Sequence, residues 1–248
     1  MTTAELTLEA YAARLERTLP EVRERIAHAA REAGRSPSAV RLVAVTKGHP
    51  LEAVDAALAA GLADLGENRV EELERRVASR AGVGIVWHMI GHVQSRKARR
   101  AAEVAHLIHS VDSYHLAERL ARVGRERAET GSGAEVAVLA QVNTSGEPSK
   151  SGLPADGAVD EVCRIAELPG LRLEGLMTMA PLVDDEAVLR ATFSRLREIH
   201  ERARRASDRV GSELSMGMTN DLEVAIREGS TIVRIGTALF GERPGGGQ

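Results

Sequence analysis

The sequence predicts an α/β fold, a single-domain (β/α)8 TIM barrel preceded by an extra N-terminal helix. Eight strand-like segments alternate with amphipathic helices, and strands separated by helices pair in parallel through right-handed crossovers. The length of 248 residues is typical of eight such units closed into a ring. No Pro, Gly or Ser linker divides the middle of the chain, and the glycine fingerprint GxGxxG of the alternative, a doubly wound open sheet, is missing after the first strand.

Residues 5–33 predict the extra helix: Leu8, Tyr11, Leu15, Leu19, Val22, Ile26 and Ala29 recur at spacings of three and four, and Gly34 and Pro37 close it. RLVAV (41–45) reads as a buried strand, followed by Thr46, Lys47 and a turn. EAVDAALAAG is a helix ending at Gly61, ADLG is the second strand with Glu67 and Asn68 at its exit, and residues 69–80 form a charged outer helix. GIVWHMIG is the third strand, SRKARRAAEVA a helix, HLIHSVD the fourth strand and its turn. A helix over 113–130 leads into AEVAVLAQVN, a long fifth strand. NTSGEPSKSGL is a loop, and a helix over 156–168 precedes LRLEGLMTM, the sixth strand. A long helix over 185–210, the strand SELSMG, the helix NDLEVAIREG and the strand TIVRIG complete the series. Residues 1–243 are therefore expected to form one unit, the first 36 as a helical segment packing on the barrel, with 244–248 a disordered tail.

A hydrophobic fraction of 43% and a charged fraction of 28% are those of a globular protein, and a net charge of -3 predicts no general affinity for nucleic acid or anionic membrane. Cys163 is the lone cysteine, so there is neither an intramolecular disulfide nor a cysteine metal cluster, which fits a reducing cytosol. The first twenty residues mix acids and arginines and lack the apolar core of a secretory signal, and no window reaches the roughly 18 apolar residues of a membrane span. The expected setting is the cytoplasm.

In such a barrel function lies at the C-terminal ends of the strands. Lys47, Asn68, His88, Asn143, Met177, Thr178, Ser215 and Arg234 are then expected to converge on one mouth. Val43, Val45 and Lys47 share a strand face, so the last points inward with two apolar neighbours. A buried ammonium is costly unless it is paired or used chemically, although a lysine just past a strand end can also snorkel to water. In SMGMTND (Ser215 to Asp221) a serine, a glycine and a threonine precede a helix, where backbone N–H groups favour an anion. An ordinary helix cap by Thr219 or Asn220 is the plainer alternative. The next strand exit, Arg234 to Thr237, repeats the design with Gly236.

An amine on one side and a phosphate site on the other suggest a phosphorylated carbonyl compound held as a Schiff base, either a sugar phosphate or pyridoxal 5′-phosphate (PLP). With an ordinary lysine pKa of ~10.4 only a few amines in ~10⁴ are neutral at pH 7, and burial beside a cation such as Arg234 would raise that fraction. His88 and His92 are four apart, but Gly91 and the strand context deny them the single helix face of a zinc motif, so no metal is expected. SRKARR sits on an amphipathic crossover helix and reads as a solvated face.

VAVTKGHP, LGENRVEEL, WHMIGHVQSRK, IHSVDS, QVNTSGEPSKSGL, LEGLMTMAP and LSMGMTNDLEVAIREGSTIVRIGTALFG, spread over about residues 40–243, resemble the family of pyridoxal 5′-phosphate homeostasis proteins. That family is similar to the barrel of fold-type III PLP enzymes such as alanine racemase. The resemblance implies a PLP carrier or regulator in vitamin B6 and amino-acid balance, without established turnover, with PLP-dependent apoenzymes as possible partners and a monomeric state. A fold-type III racemase or related enzyme is the alternative. Five residues after the barrel leave no room for the second domain of a racemase, and Tyr11 and Tyr114, the only tyrosines, fall in presumed outer helices.

Carried onto this chain, the resemblance makes Lys47 the Schiff-base lysine. Ser215, Met216, Gly217 and Thr219, with Gly236 and Thr237, correspond to the phosphate cradle, and Arg234 falls where an arginine meets the pyridine nitrogen. Asn68 and His88 match positions near the ring and its 3′-oxygen. Two departures stand out: His49 replaces a second lysine found in many relatives, and Arg96 replaces an asparagine. Lys150 matches a family lysine and is the next candidate for an aldehyde contact.

Overall fold

Period-two alternation along each strand sorts the chain into an inner and an outer apolar layer. In β1 (Arg41–Val45), Val43 enters the inner cluster with Leu107, Ala137, Leu139, Met177 and Ile232, whereas Ala44 joins the outer layer beneath the helices. β5 (Val136–Asn143) does the same, with Ala137 and Leu139 inward and Val136, Val138, Ala140 and Val142 outward.

The computed structural model describes residues 7–131, 133, 135–147 and 150–243, so the expected tail at 244–248 and the start of the N-terminal helix lie outside the described residues. Among the described residues, β1 and β5 join β2 (Asp64–Glu67), β3 (Val86–Met89), β4 (Leu107–Val111), β7 (Leu171–Met177), β8 (Glu213–Ser215) and β9 (Ile232–Ile235) in a closed parallel ring. Its order is β4-β3-β2-β1-β9-β8-β7-β5, with β5 pairing back onto β4. Eight strands in that order are the barrel the alternation predicts.

The loop expected over 143–153 carries a two-residue strand, β6 (Leu153–Pro154), paired with the end of β5. Gly152 makes this possible: at φ +136 its hydrogen faces the backbone of Asn143, whose nitrogen would lie 2.6 Å from a Cβ.

Outside the ring lie α1 (Leu8–Glu32), α2 (Leu51–Ala59), α3 (Val70–Ser79), α4 (Ala98–Val104), α5 (Tyr114–Glu129), α6 (Ala158–Ala166), α7 (Glu186–Ala206), α8 (Leu222–Arg227) and α9 (Thr237–Phe240). The last is a short turn of helix that the sequence pattern does not signal. Among the described residues no helix is long and apolar enough to cross a membrane.

Thr7 caps α1, accepting from the Ala10 amide, and the helix buries Tyr11, Leu15, Leu19, Val22 and Ile26 against α2, α8 and α9. Each large apolar side chain so buried contributes about 1.5–3 kcal/mol relative to exposure. α1 also fastens the barrel mouth. Arg25 forms an ion pair with Glu223 at 2.6 Å and donates to the Thr219 carbonyl, while the Thr18 hydroxyl donates to the Leu239 carbonyl.

Candidate functional site

A cavity of about 440 Å³ opens at the C-terminal ends of the strands. Lys47, Asn68, Thr219, Arg234, Gly236 and Thr237 all line it, as the strand-end rule predicts. Val45 lines it too, one alternate position below Lys47.

Lys47 stands on a turn clamped from below. The Thr46 amide donates to the Gly66 carbonyl, and the Thr46 hydroxyl donates to Glu67 at 2.6 Å. Arg76, from α3, donates to the carbonyls of Thr46 and His49 and forms an ion pair with Glu67 at 2.7 Å. Gly48 supplies the left-handed backbone at φ +76 that reverses the chain. Burial holds the Lys47 amine below the usual lysine range, and the guanidiniums of Arg243 and Arg234 push the same way, against a smaller opposing effect of Glu67. The result is a larger neutral fraction than an exposed lysine has.

Arg234 faces Lys47 from β9, whose register sets Arg234 beside Val43. Its guanidinium, 5% exposed, donates to the Ser215 hydroxyl at 2.6 Å and the Thr178 carbonyl at 3.1 Å. Burial lowers its pKa to about 10, which leaves it a cation at neutral pH. Gly236 lets β9 approach β1 at the rim, since a Cβ there would lie 3.2 Å from the Val45 carbonyl oxygen. The turn before α8 is tied by the Met218 amide donating to the Asp221 carboxylate, and the Thr219 hydroxyl accepts from the Ala238 amide at 3.4 Å.

Seven residues expected at the mouth do not line the cavity: His88, Asn143, Met177, Thr178, Ser215, Met216 and Gly217. Met216 is fully buried in the outer layer. Gly217 adopts φ +98, and a Cβ would come within 2.7 Å of that of Ala225, so its glycine serves the packing of α8. Ser215 and His88 lie in the barrel interior, joined by His109. Ser215 Oγ is 2.8 Å from His109 Nδ1, His109 Nε2 is 2.9 Å from His88 Nδ1, and His88 Nε2 is 2.9 Å from Asp64 Oδ1.

The remaining candidates also have assigned places. Lys150 pairs with Glu147 at 2.8 Å, and the Asn143 amide donates to the carbonyls of Glu147 and Lys150, shaping that loop. Arg96 is exposed and donates to Gln94. His49 is turned away from the mouth, against Tyr11 and Phe240. His92 lines the rim and pairs with Asp112, and among the described residues no cluster of three or more His, Cys, Asp or Glu could hold a metal ion.

Sequence reasoning missed Arg243, Gln141, Arg76 and His109. Arg243 and Gln141 line the cavity, the latter donating to the Ser151 carbonyl. Arg76 had a signal: it lies three residues after Leu73 on the buried stripe of a helix read as wholly exterior. His109 had one too, two positions after inward Leu107.

The family described as "Alanine racemase, N-terminal domain" matches residues 18–244. A Pseudomonas aeruginosa protein named pyridoxal phosphate homeostasis protein is 44% identical over 225 residues, which cover 91% of this chain and 94% of that one. The crystal structure of an unknown protein from Bifidobacterium adolescentis superposes with a TM-score of 0.82 at 41% identity, covering 93% of this chain and 96% of that one. PipY of Synechococcus elongatus PCC7942, solved with PLP bound, gives a TM-score of 0.75 at 36% identity over 89% of this chain and 100% of that one.

Proposed function

The chain belongs to the alanine racemase N-terminal domain family and, within it, to the pyridoxal phosphate homeostasis proteins; from that premise we propose that it binds PLP covalently through Lys47 and acts in PLP homeostasis. One observation carries this reading: a lysine amine made more neutral by burial shares a 440 Å³ cavity with two guanidiniums, those of Arg234 and Arg243. That volume suits a small ligand, and the donor set suits an anionic one. When bound, PLP supplies an aldehyde that a neutral amine can take and a conjugated ring that absorbs visible light.

The residues divide the work by their chemistry. Lys47 offers the nucleophilic amine. Thr219, Gly236 and Thr237 would hold the phosphate, and Arg243, whose side chain lies against Gly48 in the Lys47 turn, would add a positive charge at the cavity wall. Arg234 would meet the pyridine nitrogen and, having only donors, would keep that nitrogen unprotonated and the ring a weak electron sink. Asn68 would contact the ring edge. Ser215 and His88 enter only through Arg234, from below.

A weak electron sink suits a protein that stores an aldehyde and hands it on to PLP-dependent apoenzymes in the cytoplasm. A racemase with a tyrosine as its second base would need that phenol at the cavity. Both tyrosines of the chain are engaged elsewhere: Tyr11 is buried against His49 and Phe240, and the Tyr114 ring lies beneath Arg164, whose guanidinium carbon is 4.4 Å from its centroid.

The test is the absorption spectrum of the purified protein supplied with PLP. A visible band that borohydride removes, and that Lys47→Ala abolishes, is the expected result. A wild-type protein that stays colourless in excess PLP overturns the reading, and sustained loss of optical rotation from a single L-amino acid overturns the carrier role.

A further inference from the structure

The inner face of this barrel is not wholly apolar. Alternate positions of five strands place Asp64 (β2), His88 (β3), His109 (β4), Ser215 (β8) and Arg234 (β9) in one line of hydrogen bonds, from the N-terminal rim to the cavity floor. His88, His109 and Ser215 are fully buried, whereas the Asp64 side chain keeps 28% exposure. Buried polar groups that are fully satisfied fix a single arrangement, and half-satisfied ones are expensive.

The two ends set the direction of every bond between them. The Asp64 carboxylate only accepts, so His88 Nε2 carries the hydrogen and donates to it. A neutral His88 then accepts at Nδ1, which makes His109 Nε2 the donor and His109 Nδ1 an acceptor. The Ser215 hydroxyl donates to that Nδ1, and its oxygen accepts from Arg234, which only donates. No donor meets a donor anywhere along the line. Burial holds both imidazoles below the ordinary histidine range, His109 well below it, in keeping with two neutral rings.

We propose that Asp64, His88, His109 and Ser215 form a directed hydrogen-bond wire that positions the Arg234 guanidinium for the ligand in the cavity. Asp64 sets the direction, the two histidines carry it as Nε2–H tautomers, and Ser215 receives the guanidinium. Through the wire and the Thr178 carbonyl, Arg234 has two fixed acceptors, which leaves its remaining donors for the cavity. His88, Ser215 and His109 are thus positioning residues, and none of them lines the cavity.

The effect on PLP rests on the function proposed above, but the wire itself can be read without any ligand. Long-range ¹H–¹⁵N spectra of the ligand-free protein near pH 7 are expected to show both rings neutral, with a protonated Nε2 and a bare Nδ1. A protonated Nδ1 on either ring, or an imidazolium, overturns the wire. Asp64→Asn keeps an acceptor for His88 and should preserve those tautomers, whereas Asp64→Ala should scramble them; identical spectra for the two variants overturn the role of Asp64. Ser215→Ala should weaken PLP binding by about tenfold or more, as loss of a hydrogen bond to a charged group does, and shift the absorption maximum. Wild-type affinity and an unmoved band in Ser215→Ala overturn the positioning role. If the wild-type protein takes up no PLP, the proposed function fails while the tautomer result stands by itself.

Discussion

Arg76 Nε lies 2.7 Å from a carboxylate oxygen of Glu67, and both side chains are sealed from solvent directly beneath the turn that carries Lys47. A buried ion pair is weak evidence for stability, because replacing both members with apolar groups is often neutral, whereas removing one strands a charge. Arg76 does more than neutralise Glu67. It also donates to the carbonyls of Thr46 and His49 on either side of Lys47.

Arg76→Leu is therefore expected to destabilise the protein by about 3–5 kcal/mol in urea unfolding, since it leaves the Glu67 carboxylate buried without its counter-charge. The double variant Arg76→Leu with Glu67→Leu should recover most of that loss. It should not recover PLP uptake, because the turn has lost its clamp. Equal uptake by the double variant and the wild type would show that the pair serves stability alone.

Lys47 should titrate below an ordinary lysine. Its ammonium is disfavoured by burial first and by Arg243 and Arg234 next, so the folded-state pKa lies under the unfolded value of ~10.4. Below its folded pKa the buried ammonium costs stability, and that cost is relieved as pH rises through the folded pKa toward the unfolded value. The measurement is the rate of Lys47 modification by an amine reagent against pH, read by mass spectrometry. Arg243→Gln should move the midpoint upward, and an unmoved midpoint would mean that Arg243 does not act on the amine.

Gly217→Ala is expected to cost about 1–3 kcal/mol and to lower the melting temperature. The added methyl would meet the Ala225 Cβ at 2.7 Å on a backbone held at φ +98. A variant as stable as the wild type would show that α8 can move away freely.

The strand-end rule explains why Lys47, Asn68, Thr219, Arg234, Gly236 and Thr237 were legible in the sequence. Arg234 lies near the end of a recognisable strand and the others follow one, and the barrel alone brings them together. Ser215 and His88 were legible as inward residues but not in depth, because alternation tells which face a side chain takes and not which layer of the barrel it occupies. Both sit below the floor. Arg76 was hidden by its composition: among the charges of RVEELERRVASR nothing but its phase with Val70 and Leu73 distinguishes a buried arginine from a solvated one. Arg243 follows the last strand by eight residues, and only the folded chain returns it to the mouth.

His49 makes the fold acid-sensitive. Its ring is 6% exposed, its Nδ1 is 2.9 Å from the Tyr11 hydroxyl, and it packs against Phe240. Burial, with Arg243, Arg76 and Arg14 nearby, depresses its pKa from 6.5 to about 4. The unfolded chain therefore binds a proton that the folded chain refuses over that interval, so stability falls as pH drops from about 6.5 to about 4 and then levels off. At 1.36 kcal/mol per pKa unit the loss from this one ring is about 3 kcal/mol. Tyr11 lies on α1 and Phe240 on α9, so the strain of protonation would fall on the helices that brace the mouth. Urea unfolding at a series of pH values should show the decline in the wild type and a shallower one in His49→Gln, which has no proton to take up. Parallel declines in the two proteins would place the acid sensitivity elsewhere.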